Sequence, residues 1–154
     1  MSLHHNWHTK NCSTNQRVDE IDKAIKKARE YEKLTNTSIN LGISNPCFEL
    51  WYLLHYVYTT ANLKDYDAVK DRIERSTPLK DYKKNKCVYD AIHGNTQEAI
   101  KNSDNLKNHH ESLGRTLIDT QKNSYVLNVK NIVESNPYTN VSDLVRYIEE
   151  LNNK

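Results

Sequence analysis

The sequence predicts a helix-rich α/β domain with a small sheet and several amphipathic helices, and three observations carry that reading. Apolar residues recur at spacings of three and four through most of the chain. One stretch alternates with a period of two instead. Turn and cap residues separate these segments, and only three glycines and three prolines are present to interrupt them. The chain of 154 residues is about one domain's worth, and its 36% hydrophobic, 27% charged and 8% aromatic residues describe a polar globular protein rather than a disordered one.

Residues 1–16 show no periodicity and read as a disordered or added tail, leaving 17–154 as a single helix-rich domain. His4, His5 and His8 lie in that tail, where a mobile backbone seldom presets metal-ligand geometry, so no native metal site is expected there. From Arg17 to Leu34, Val18, Ile21, Ile25, Ala28 and Tyr31 form one helical stripe, and the opposite face is a solvated mixture of acids and lysines. Thr37 to Ser44 alternates, with Ile39, Leu41 and Ile43 on one side, and is expected to be a strand with its securest part at Ile39 to Ile43. Asn45 is then read as an N-cap, Pro46 as a first-turn proline, and Cys47 to Tyr58 as a buried helix with Phe48, Leu50, Trp51 and Leu54 in the core.

Lys64 to Arg75 reads as a helix with Tyr66, Val69 and Ile73 inward. Thr77-Pro78 opens a short segment that runs into Cys87 to Ile92 and stops at Gly94. Asn95-Thr96-Gln97-Glu98 has capping-box spacing and starts a helix through Ala99, Ile100 and Leu106. Leu113 to Asn128 is expected to be a flexible loop. Asn136 to Asn140 is a turn and cap cluster, followed by a last helix with Val141, Leu144, Val145, Ile148 and Leu151 on one stripe.

Bulk charge excludes little: Lys+Arg 22 against Asp+Glu 20 is too balanced to announce a nucleic-acid protein. The longest apolar stretch, near Cys47 to Tyr58, is interrupted by Glu49 and His55 and is well short of the roughly 20 residues that span a bilayer. With no secretory leader recognisable at the N-terminus, a cytoplasmic location and no membrane partner are expected. Cys12, Cys47 and Cys87 are odd in number and widely spaced, which fits reduced, mostly buried thiols rather than a disulfide or zinc framework.

Two places in the sequence hold candidate chemistry. Ser44, Asn45 and Glu49 fall where a strand end meets a helix, a position at which polar side chains converge on ligands in α/β folds. Glu49 is either a carboxylate complementing the helix dipole or a functional acid. Tyr52, Leu53 and Tyr56 share its helical face, while His55 lies about 120° away, beside Phe48 and Trp51, and reads as a stacked, hydrogen-bonded core histidine. The second place is Lys70 to Lys86, where Lys70, Arg72, Arg75, Lys80, Lys83, Lys84 and Lys86 outnumber Asp71, Glu74 and Asp81. That local excess suits phosphate contacts, with Tyr82 available for stacking on a base; a solvated face is the other reading. No phosphate-binding glycine loop, nucleophile elbow or paired-histidine zinc motif occurs.

Ser44-Asn45-Pro46-Cys47-Phe48-Glu49-Leu50-Trp51, followed by Leu53-Leu54-His55, closely resembles the signature of the RloB-like family. Tyr82-Lys83-Lys84-Asn85, the helix with Glu98-Ala99-Ile100, and Asn136-Pro137-Tyr138-Thr139-Asn140-Val141 before Leu144-Val145 match in the family's order. The resemblance covers roughly Arg17 to the end and implies a partial Toprim-like domain, bacterial antiphage defence of the abortive-infection kind, a nearby-encoded ATPase partner of the AAA type, and metal-dependent nuclease activity. A Toprim site uses clustered carboxylates to hold Mg2+ or Mn2+, which stabilise phosphoryl charge and activate water. The glutamate segment and the Asp-x-Asp pair of that site are missing here, so the resemblance implies a chain that begins after the catalytic half. Glu49 is the single candidate catalytic and metal-ligating residue, in an incomplete site, and no bound ion is expected. Ser44, Asn45, Arg72, Arg75, Lys83 and Lys84 are the candidate substrate-binding residues, with nucleic acid as the substrate. The alternative is a non-catalytic module that binds nucleic acid or a partner; the sequence leaves homo-oligomerisation open.

Overall fold

A computed structural model describes residues 14–84, 87–115, 117 and 129–153. The chain divides into two compact units, 1–39 and 40–154. In the first, α1 (Thr14–Thr35) carries the stripe anticipated from its spacing, with Ile25 and Ala28 buried and Tyr31 and Leu34 exposed. Asn36 ends it in the left-handed conformation at φ 52°, which asparagine tolerates better than most residues. Glu32 then accepts a hydrogen bond of 2.7 Å from the Ile39 N–H, turning the chain back on the helix end.

The second unit holds β1 (Ser44–Asn45), α2 (Glu49–Leu54), α3 (Tyr66–Ser76), α4 (Tyr89–Ile92), a 3-10 turn (His93–Asn95), α5 (Thr96–Ser112), α6 (Val129–Glu134), β2 (Tyr138–Thr139) and α7 (Val141–Asn152). Helices dominate, as the spacing indicates, and no helix among the described residues is long and apolar enough to cross a membrane. The sheet is one antiparallel pair with Ser44 opposite Thr139 and Asn45 opposite Tyr138. The anticipated strand Ile39 to Ile43 is not a strand: residues 37–43 are irregular and pairing begins only at Ser44. The reason lies in how the backbone is satisfied. The Asn140 amide accepts from the Ile43 N–H at 2.6 Å and donates to the Leu41 carbonyl at 3.0 Å, doing for this segment what a neighbouring strand would do.

Asn45 is likewise not a helix cap. Its side-chain amide donates toward three carbonyls, of Ile132, Val133 and Ser135, at 2.7–3.0 Å, and so terminates α6 from across the sheet. Pro46 follows a cis Asn45–Pro46 bond and precedes the helix instead of opening it; Asn136–Pro137 is cis as well. Asn136 closes a reciprocal pair with the backbone of Leu63, accepting from its N–H at 2.9 Å and donating to its carbonyl at 2.8 Å. Ser44 and Thr139 share a hydroxyl hydrogen bond of 2.8 Å across the strands. Beneath the pair, Ser103 donates to the Thr139 carbonyl at 2.9 Å, which leaves its oxygen to accept from Ser142 at 3.0 Å.

The main core forms around α2. Leu50, Leu53 and Leu54 are fully buried and Trp51 is nearly so, and α2 packs against both α3 and α5. Val69 and Ile73 come from α3, Ala99, Ile100 and Leu106 from α5, and Val141 from α7. At about 1.5–3 kcal/mol for each large apolar side chain removed from water, this cluster is the unit's main source of stability. Phe48 departs from the expectation: it is 50% exposed and meets Tyr52 edge-on, because α2 starts at Glu49 and the turn before it faces outward. α3 is capped by Asp65, which accepts from the Ala68 N–H at 3.0 Å. α5 begins where the capping-box spacing indicates, although Asn95 makes no side-chain cap bond. A smaller cluster joins Leu117, Ile132 and Tyr138 with Ile43 packed on it. Of the anticipated loop from Leu113 to Asn128, residue 116 and residues 118–128 lie outside the described residues, and so do Cys12 and the tail histidines.

α7 has the anticipated apolar periodicity, but only part of it is covered. Val141 is buried and Val145 packs on the core, while Leu144, Tyr147, Ile148 and Leu151 remain 47–51% exposed. Arg146 fixes the helix by pairing with Asp104 of α5 at 2.5 Å and Asp143 at 3.4 Å.

Candidate functional site

Glu49 stands at the first turn of α2, where a carboxylate complements the exposed N–H groups of the helix start. Leu50, Trp51, Leu53 and Leu54 anchor the same helix in the core, so the carboxyl is drawn inward and its residue is only 7% exposed. Lys84 reaches it from the irregular segment after α3, with Nζ 3.5 Å from Oε1. The same ammonium lies 4.5 Å from the centre of the Tyr66 ring, at the start of α3. Tyr82, buried two residues before Lys84, packs edge-on against Tyr52 with ring centroids 6.0 Å apart.

The electrostatics follow from one buried acid among phenols. Burial, and secondarily the Glu49 charge, raise Tyr52, Tyr66 and Tyr82 above the ordinary tyrosine range. Cys47 is pushed up to about 12 by burial first and by Glu49 second, which makes its thiol a poor nucleophile at neutral pH. His55 is a core histidine: 2% exposed, edge-on to Trp51 with centroids 5.0 Å apart, and hydrogen-bonded through Nδ1 to the Trp51 carbonyl at 2.8 Å. Burial holds its pKa below the ordinary value.

The remaining candidates separate. Ser44 and Asn45 are committed to Thr139 and to the α6 carbonyls. In the cationic stretch, Lys70 pairs with Glu74 at 3.7 Å, Arg75 with Asp71 at 3.1 Å, and Lys80 donates to the Glu74 carbonyl at 2.6 Å. Arg72 and Lys83 are exposed and make no ion pair among the described residues; Lys86 lies outside them. With Val69 and Ile73 facing the core, Arg72 and Arg75 fall on one flank of α3 and Lys70 on the other, with Tyr66 and its Lys84. The structure therefore brings Glu49 and Lys84 together and sets Arg72 and Arg75 apart from them.

His110 is a polar centre that sequence reading passes over. Arg115 donates to its Nδ1 at 2.9 Å, which fixes the proton on Nε2, and Nε2 donates to the Pro137 carbonyl at 2.8 Å. Burial lowers its pKa, and the guanidinium opposes a second proton. Its place near the end of α5 gives no local signal, because its partners come from the β2 turn and from beyond the helix.

Mg2+ or Mn2+ would require several converging oxygen donors. Among the described residues no group of three His, Cys, Asp or Glu side chains converges, and the charged group against Glu49 is an ammonium. The described residues do not fit a divalent ion.

Fold and site together define a helix-rich α/β protein with a two-stranded sheet closed by asparagines and, at the start of its central helix, a buried carboxylate paired with a half-exposed ammonium. The family described as RloB-like protein matches residues 10–148, and the chain belongs to that family. No curated protein and no solved structure matches it.

Proposed function

We propose that the chain serves bacterial antiphage defence of the abortive-infection type as part of a metal-dependent, Toprim-type nuclease, in which it supplies a portion that does not itself cleave. Membership of the RloB-like family supports the setting. The observation that carries the non-cleaving role is the Glu49–Lys84 pair: the buried acid of the signature meets a lysine where a phosphoryl-transfer site would need further carboxylates. The test is incubation of the purified polypeptide with plasmid DNA and with RNA in the presence of Mg2+ or Mn2+. No cleavage is expected; robust cleavage that disappears in Glu49→Gln would overturn the proposal.

A second reading, a non-catalytic binding module, is favoured by the exposed residues Leu144, Tyr147, Ile148 and Leu151 on α7. They share one face within about 100° and suit a protein partner, for which the AAA-type ATPase of such systems is the candidate. Co-purification with that ATPase, abolished by Tyr147→Asp with Leu151→Asp while the fold is retained, is the expected result. Equal recovery with the doubly substituted chain would dismiss it.

A further inference from the structure

We propose that Glu49 and the face of Tyr66 form a binding site for a primary alkylammonium group, a lysine side chain or a small amine, which Lys84 of the same chain occupies as a displaceable internal ligand. This goes beyond the nuclease reading and does not depend on it. The argument begins with the asymmetry of the pair. The Glu49 side chain is 9% exposed and the Lys84 side chain 46%. The acceptor is fixed, because its helix is anchored by four buried residues of the main core. The donor comes on a long stem from a segment outside any helix or strand, and Tyr82, buried two residues earlier, anchors that segment independently of the Lys84 side chain.

The chemistry of the receiving side is that of an ammonium site. A carboxylate 3.5 Å from Nζ supplies the countercharge, and the Tyr66 ring 4.5 Å away supplies a face with negative quadrupole. A buried carboxylate is costly without a cation beside it, so the site favours being filled by some ammonium rather than left to water. An incoming amine therefore competes with Lys84 at the Glu49 carboxylate and the Tyr66 face. Primary amines suit it because their compact charge leaves N–H donors for the carboxylate, which a quaternary ammonium lacks.

The test vacates the site and refills it. Lys84→Ala is titrated with n-propylammonium chloride against matched sodium chloride, and thermal unfolding is followed. A saturable rise in Tm with the amine alone, absent in Lys84→Ala with Glu49→Gln and shifted to at least tenfold higher amine in the unsubstituted chain, is expected. Lys84→Ser, assayed in parallel, keeps the measurement readable if the alanine variant does not fold. A second arm uses a short peptide with one lysine among uncharged residues. A lower midpoint than propylammonium assigns the site to a protein lysine, an equal midpoint to free amines, and both support it. No saturable response in either Lys84 variant, or the same response without the Glu49 carboxylate, would overturn the proposal and leave the pair as an ordinary surface ion pair.

Discussion

The β1–β2 region and the Glu49 cluster are neighbours in sequence and opposites in design. Around the sheet, the Asn45, Asn136 and Asn140 amides bond backbone carbonyls and N–H groups, and Ser103 and His110 each donate to a backbone carbonyl while accepting from a side chain, Ser142 and Arg115. Around Glu49 the polar content is a charge pair, with one partner buried and the other half in water. Ser44-Asn45-Pro46-Cys47-Phe48-Glu49 thus serves two ends: its first half ties chain segments together, and its last residue carries a buried charge. A polar residue in a signature string is structural when its partners are backbone and candidate-functional when its partner can leave.

Perturbations of known size sharpen that contrast. The largest effect belongs to the shared core: Trp51→Ala is expected to cost about 3–5 kcal/mol in denaturant unfolding through the cavity it leaves. An unchanged midpoint would mean that α2 is not the hub. Next comes Asn45→Ala, which strands carbonyls at the end of α6 and is expected to cost about 1–3 kcal/mol. Asn45→Asp should cost more, because a carboxylate there faces three carbonyls and cannot donate.

A pH titration of stability separates the regions differently. The folded pKa values of His55 and His110 are held below 6.5 by burial, so the unfolded chain binds protons that the folded chain refuses. Stability from these groups is complete above about pH 6.5 and is lost as the pH falls through that value, with a slope of at most about 1.4 kcal/mol per pH unit for each. His110→Gln should flatten the slope between pH 7 and 5; an unaltered slope would remove His110 from the network's pH response. The smallest effect is expected at the exposed Arg75–Asp71 pair, where Arg75→Ala should change stability by no more than about 0.5 kcal/mol.

What the sequence revealed and what it hid divide along chain separation. α3, α5 and α7 were legible because Val69 and Ile73, Ala99 and Leu106, and Val141 and Val145 repeat at helical spacing, and burial of α2 followed from its nearly unbroken apolar run. Ile39 to Ile43 alternates convincingly, but a strand needs a partner ladder, and a single asparagine from the far end of the chain supplies the bonds instead. Asn45 before a proline and an acid has the local look of an N-cap, yet its partners lie at Ile132 to Ser135, beyond any local pattern. α6 is six residues long, too short for its periodicity to register. Glu49 was recognisable as the residue to watch, since acids are rare in buried helices. Its partner was visible only as one lysine among many, because charge composition gives no direction to a side chain.

The contrast between the two regions is tested most directly by comparing Asn45→Ala and Glu49→Gln in urea unfolding at neutral pH. The expectation is a loss of about 1–3 kcal/mol for Asn45→Ala, whose partners cannot find water, and of less than about 1 kcal/mol for Glu49→Gln, whose lysine partner already stands half in water. Equal losses, or a larger one at Glu49, would contradict the account by making the carboxylate as structural as the asparagine.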